Sequence, residues 1–156
     1  MRGIMLRALP VCFVAFATGC LLSNNSIKVT EVAPRSATHA YWQRANAPLA
    51  QKPTGGDMKA LVQLIRAQTD ALRELPPEGV DPALVAAVDE VVKCEDEVLR
   101  RADMVGDDPS VLKTNQAMAQ VFADANRKAA DAKKRLKALR GPLDERHGGG
   151  FAPAGG

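Results

Sequence analysis

Chemistry in this chain would have to come from very few residues. The 156 residues hold two histidines, His39 and His147, and three cysteines, at positions 12, 20 and 94. None of these shows metal-site spacing, since neither C-x-x-C nor H-E-x-x-H occurs. The densest candidate is VVKCEDEV at 91–98, where Cys94 stands beside Glu95. A thiol needs a base to become a nucleophile, and a lone carboxylate needs a second acid or a histidine to work as an acid–base pair. The helical face that carries Glu95 holds no histidine and no second acid. His147 lies in a Gly-rich tail, a poor mount for catalysis. There is no nucleotide-binding loop and no Ser–His–Asp-like set. The residues argue against an enzyme, and no cofactor or metal is expected.

The elements that would position Cys94 and Glu95 are three helices. The first is expected over 57–75, where Met58, Leu61, Ile65, Gln68, Leu72 and Leu75 recur at alternating spacings of three and four. The second, 81–104, opens with Asp81 as cap and Pro82 at the first helical position. Its inward stripe is Leu84, Val88, Val91, Glu95, Val98 and Ala102. The third, 108–140, repeats the Asp–Pro opening at Asp108 and Pro109. Its face is Val111, Asn115, Met118, Phe122, Ala125, Ala129, Ala132, Leu136 and Leu139, and a Gly–Pro stop follows at 141–142. At 1.5 Å per residue this helix spans about 48 Å. Each stripe carries one polar residue: Gln68, Glu95 and Asn115. An antiparallel arrangement sets Glu95 level with Ile65 and Met118, where these residues fix the register or reach solvent from a narrow bundle.

The end of the third helix is strongly basic. Arg127, Lys128, Lys133, Lys134, Arg135, Lys137 and Arg140 face the single acid Asp131. Basic residues suit a helix C-terminus, but seven exceed what the dipole needs. They form either a solvated face that aids solubility or candidate contacts for an anionic lipid, a cell-wall polymer or an acidic protein face. The last turns either project as a basic rod or pack against the N-terminal segment or another copy. A net charge of +3 is too small for a nucleic-acid partner.

The first residues read as an export signal. MRGIMLR carries two arginines and no acid, and ALPVCFVAFA at 8–17 is an uncharged apolar run of the right length. The following ATGC, Ala17 to Cys20, resembles the lipobox of bacterial lipoproteins, with Thr18 and Gly19 as the small residues before the cysteine and Ala17 where that class prefers Leu. The resemblance covers about twenty residues and implies processing, not activity: cleavage of 1–19, lipidation of Cys20 with diacylglycerol and a further acyl chain such as palmitate, and a membrane anchor through that lipid. Leu21, in place of the Asp that retains such proteins at the inner membrane, implies the outer membrane facing the periplasm. The same residues leave open an ordinary secretory leader or an uncleaved anchor over 8–27, the latter interrupted by Asn24, Asn25 and Ser26.

With Cys20 lipidated, Cys94 has no internal partner and becomes a candidate for an intermolecular disulfide. Residues 20–56 show no sustained period and are expected to be a flexible tether, on which Tyr41 and Trp42 dock against the bundle, touch lipid headgroups or bind a partner. The Gly-, Pro- and Ala-rich residues 142–156 are expected to be a disordered tail. The fold class is all-α: a small antiparallel three-helix bundle, 57–141, with a long C-terminal helix. The expected function is a non-enzymatic envelope lipoprotein acting as a helical scaffold, spacer or assembly subunit, with an envelope protein or a second copy as partner. A binding module using the basic end of the third helix is the alternative.

Overall fold

A computed structural model describes residues 33–106 and 108–151. The expected leader, the lipidation at Cys20, Leu21 and the first residues of the expected tether lie outside them, as does the end of the expected tail. Among the described residues all regular structure is helical: α1 (Arg35–Leu49), α2 (Met58–Arg73), α3 (Pro82–Val105), α4 (Val111–Thr114), α5 (Gln116–Ala138) and α6 (Arg140–His147). The protein is an all-α helical bundle.

The expected boundaries of the first two helices hold because their caps are as read. Asp57 accepts from Ala60 N–H at 2.7 Å and opens α2, and Asp81 accepts from Ala83 N–H at 2.9 Å with Pro82 beginning α3. The whole expected stripe of α3, from Leu84 through Glu95 to Ala102, is buried. This helix is the centre of the bundle, packed along α5 on one side and α2 on another, with α1 against both α2 and α3.

Three expectations are corrected. First, much of the supposed flexible tether is α1, and it belongs to the core. Thr38, Tyr41, Trp42, Ala45 and Asn46 are all buried, the i, i+3, i+4, i+7, i+8 stripe of an amphipathic helix. The bundle therefore has four long helices, not three. Of the roles open to Tyr41 and Trp42, docking on the bundle is the one seen, and it holds α1 in the larger core cluster.

Second, the expected third helix is divided. Asn115 adopts an extended conformation (φ −113°, ψ 90°), and its side chain accepts from Met118 N–H at 3.1 Å. It is an exposed cap at the start of α5, not an inward stripe residue. The short turn α4 joins the connection between α3 and α5, which moves the antiparallel register. Lys133, not Met118, stands opposite Glu95. Met118 instead borders a groove with Met104, near the end of α3.

Third, the Gly–Pro stop does not end the helix, and the tail is not disordered over its described part. The chain bends at Leu139, whose N–H bonds Leu136 C=O at 3.1 Å. It then resumes as α6, with Leu143 N–H on Leu139 C=O at 2.9 Å. Pro142 is tolerated because it falls in the first turn of α6, where its missing N–H has no intrahelical partner to lose. Leu143 and Phe151 are fully buried.

The core has two apolar clusters. The larger gathers Tyr41, Trp42, Ala45, Leu72, Leu75, Val80, Leu84, Val88, Val91, Ala132, Leu136, Leu143 and Phe151. The smaller is Ile65, Val98, Ala125 and Ala129.

Candidate functional site

Between the two clusters lies a polar layer. On α2 it falls between Ile65 and Leu72, on α3 between Val91 and Val98, and on α5 between Ala129 and Leu136. Its members are Gln68, Thr69, Glu95 and Lys133. Glu95 is 1% exposed, so its carboxylate must be compensated from within. Thr69 Oγ1 donates to Glu95 Oε2 at 3.0 Å and also reaches Ile65 C=O at 2.8 Å. Lys133 Nζ lies 2.6 Å from Glu95 Oε1 as an ion pair, at an angle that makes no hydrogen bond to that oxygen. Lys133 also donates to Gln68 Oε1 at 3.1 Å, and Gln68 Nε2 donates to Pro48 C=O at 3.0 Å. The chain of contacts ties α1, α2, α3 and α5 at one level. Beside it a shallow cavity of about 260 Å³ is walled by Leu61, Ile65, Val98 and Asn126 as well as by these polar groups.

Sequence reasoning singled out Gln68 and Glu95 and placed them correctly on inward faces. It assigned Lys133 to a basic surface instead. The signal that could have revealed it is its position: it lies one residue beyond Ala132 on the buried side of α5, near enough for a long side chain to cross the seam.

The other basic residues are mostly engaged as well. Arg127 pairs with Asp124 at 2.7 Å, Lys134 with Asp131 at 3.6 Å, Arg135 with Glu90 at 2.6 Å and Arg140 with Asp144 at 3.6 Å. Among the seven, Lys128 and Lys137 alone make no ion pair, and both are exposed. No free rod projects. The last turns of α5 pack through Leu136 into the cluster that holds Tyr41 and Trp42, the alternative in which they meet the N-terminal segment.

Cys94 is a free, half-buried thiol that touches both apolar clusters. It sits on the flank of the stripe as expected, with its neighbour Glu95 already committed to Thr69 and Lys133.

A second polar group was missed. His147, expected in a disordered tail, is buried, and its Nε2 lies 3.1 Å from Asp81 Oδ2. Arg146 reaches the same oxygen at 3.2 Å. Asp81 N–H donates to Thr38 Oγ1 at 3.1 Å, so the cap of α3 is fastened to α1. Burial pushes the Asp81 carboxyl up, but the His147 hydrogen bond, the Ala83 N–H and the Arg146 charge outweigh it and hold the group below its ordinary value. Burial, and then the charge of Asp89, raise the Tyr41 phenol. Among the described residues no hydroxyl or thiol hydrogen-bonds His147.

Comparison with protein-family models, curated proteins and solved structures returned no match. No group of three or more His, Cys, Asp or Glu among the described residues is placed to hold a metal ion. No helix among them is long and apolar enough to cross a membrane.

Proposed function

We propose that this protein is a non-enzymatic lipoprotein of the bacterial envelope, anchored through lipid on Cys20 and carrying a helical domain that serves as scaffold or assembly subunit. The observation that carries the reading is the ATGC at the end of an apolar leader with a basic start. The domain is in keeping with it. Its buried acids and most of its clustered cations are engaged in ion pairs within the domain, which serves a rigid spacer better than a catalyst. The outer membrane, facing the periplasm, is the proposed address.

The mass of the mature N-terminus from cells tests the anchor. Lipid mass on Cys20, lost together with membrane fractionation in Cys20→Ser, is the expected result. A free N-terminus at another residue overturns it. The assembly role is tested by crosslinking in membranes, where a reproducible neighbour is expected and its absence counts against the role.

The alternative, binding of anionic lipid or polymer through the basic end of α5, keeps two exposed unpaired cations in its favour. In protein lacking the lipid on Cys20, replacing Lys128 and Lys137 by Gln should abolish flotation with anionic vesicles if that face is used, and unchanged flotation removes this reading.

A further inference from the structure

At one pole of the domain the chain turns back and plugs it. After α6 come Gly148, Gly149 and Gly150, with φ of 79°, 85° and 96°. Only glycine adopts such angles without strain, and three in succession make a joint that no side chain stiffens. Phe151 follows, and its side chain is wholly buried. The ring lies among three others, with centroids 5.2 Å from His39, 6.1 Å from Trp42 and 5.9 Å from His147. Against His39 and Trp42 it stands nearly edge-on, at 76° and 79°, the arrangement aromatic quadrupoles favour.

The backbone of this segment is read as well. Arg35 donates to Gly149 C=O at 3.0 Å, and His39 Nε2 lies 2.5 Å from Gly150 C=O. The Phe151 N–H donates to Asp144 Oδ1 at 3.1 Å. A Cβ on Gly150 would meet Arg35 and His39 only at van der Waals distance, 3.4 and 3.5 Å, so glycine is required there by its φ of 96° and not by the walls. The pit thus recognises a glycine peptide held at positive φ by two carbonyls and an amide, and its aromatic residue by three rings. None of these contacts requires the peptide to be joined to α6.

We propose that this pit is a peptide-binding site for a glycine-flanked aromatic segment. The chain's own Gly148–Phe151 fills it as a latch, and the same segment of a second copy takes its place when the latch opens. Exchange of an identical segment reproduces the contacts at the two carbonyls, the Phe151 amide and the ring, with the α6 cap at Asp144 as the part that must give, which makes it a low-cost route to association. The inference deepens the scaffold reading by giving it a partner, but it rests on no lipid. Its test leaves the anchor question untouched, so either can fail alone.

Trp42 is the single tryptophan of the chain and lines the pit, so it reports occupancy. In the purified full chain, Phe151→Ala should raise acrylamide quenching of Trp42 severalfold while far-UV circular dichroism stays helical. A synthetic peptide GGGFAPAGG, the sequence of residues 148–156, should restore protection saturably, and GGGAAPAGG should not. Failure of the first peptide to protect, or equal protection by the second, overturns the site. Should Phe151→Ala lose its helical spectrum, Phe151→Leu replaces it, and the peptide must then displace the smaller plug. Sedimentation equilibrium tests the second copy: wild type should dimerise with rising concentration and Phe151→Ala should not. A wild type that stays monomeric throughout overturns the exchange.

Discussion

On one side of the polar layer the core is built from Trp42, Tyr41, Phe151 and long aliphatics drawn from α1, α2, α3, α5 and α6. On the other it has only Ile65, Val98, Ala125 and Ala129, with Leu61, Leu99 and Phe122 half-covered around them. The first side is plugged by Phe151. The second opens into a groove of about 260 Å³ bordered by Met104, Met118, Val121 and Phe122, where Met104 and Val121 are the exposed large hydrophobics among the described residues. Alanine secures helix formation, but it buries little apolar area. The aromatic side has both the larger area and the cross-links to distant segments. Stability in this alanine-rich chain should therefore concentrate where sparse aromatics meet.

The largest effect should follow from emptying the aromatic side. Trp42→Ala removes a fully buried indole from beneath Phe151 and should cost about 3–5 kcal/mol in urea unfolding followed by circular dichroism. Ile65→Ala, in the small cluster, should cost about 2 kcal/mol, since the neighbouring side chains are already partly exposed. Equal costs would abolish the distinction between the two halves.

The layer between the halves comes next. Lys133→Met leaves Glu95 buried without its cation and should cost about 2–4 kcal/mol, below the full penalty for a broken buried pair because Lys133 itself is 29% exposed. Adding Glu95→Leu should return most of that loss, because an apolar pair can replace a buried ion pair nearly neutrally. If the double variant is no more stable than Lys133→Met alone, the layer contributes through Gln68 and Thr69 instead of through the charges.

How far the sequence revealed this arrangement depends on what each segment buries. The stripe of α3 was legible in full, because apolar residues recur there at helical spacing and Asp81–Pro82 marks the start. The role of α1 was not, although its buried positions are as periodic. Two of the five, Thr38 and Asn46, are polar, and only the aromatic pair Tyr41–Trp42 signals the face. Asn46 satisfies itself within the helix by donating to Trp42 C=O at 2.8 Å, and Thr38 is satisfied by Asp81 N–H. Neither partnership is visible in composition. In the tail, a run of glycines reads as disorder, yet one phenylalanine against three rings holds it. The site residues divide in the same way: Glu95 could be found from its place in an apolar stripe, whereas Lys133 and His147 acquire their roles only from contacts distant in sequence.

The cap that fastens α3 to α1 offers a smaller, pH-dependent effect on the aromatic side. Because the Asp81 carboxyl is held below its ordinary value, its stabilisation is complete above the unfolded Asp pKa of about 3.9 and is lost as the pH falls through the lower folded value. Asp81→Asn keeps an acceptor for Ala83 N–H but removes the charge facing His147 and Arg146. It should cost about 1–2 kcal/mol at neutral pH and should flatten the acid limb of the stability profile below about pH 4. An unchanged acid limb would show that the Asp81 ion pairs contribute nothing to closing this end.

The smallest expected effect is at the open side, where Asn115 caps α5. Its side chain accepts one exposed N–H, that of Met118, and touches neither apolar cluster. Asn115→Ala should therefore cost about 1 kcal/mol, the usual cost of a lost cap. Asn115→Gly should cost a few tenths, because glycine tolerates the cap conformation. Hydrogen exchange should localise the loss to the first turn of α5 and the Met118–Val121 groove, leaving Leu136 and Leu143 protected. This cap also sets the α3–α5 register, through the extended conformation that separates α4 from α5. If Asn115→Ala instead weakens protection around Glu95 and Lys133, the two halves are coupled through that register. Their separation by the polar layer would then be one of composition, with no difference in local stability behind it.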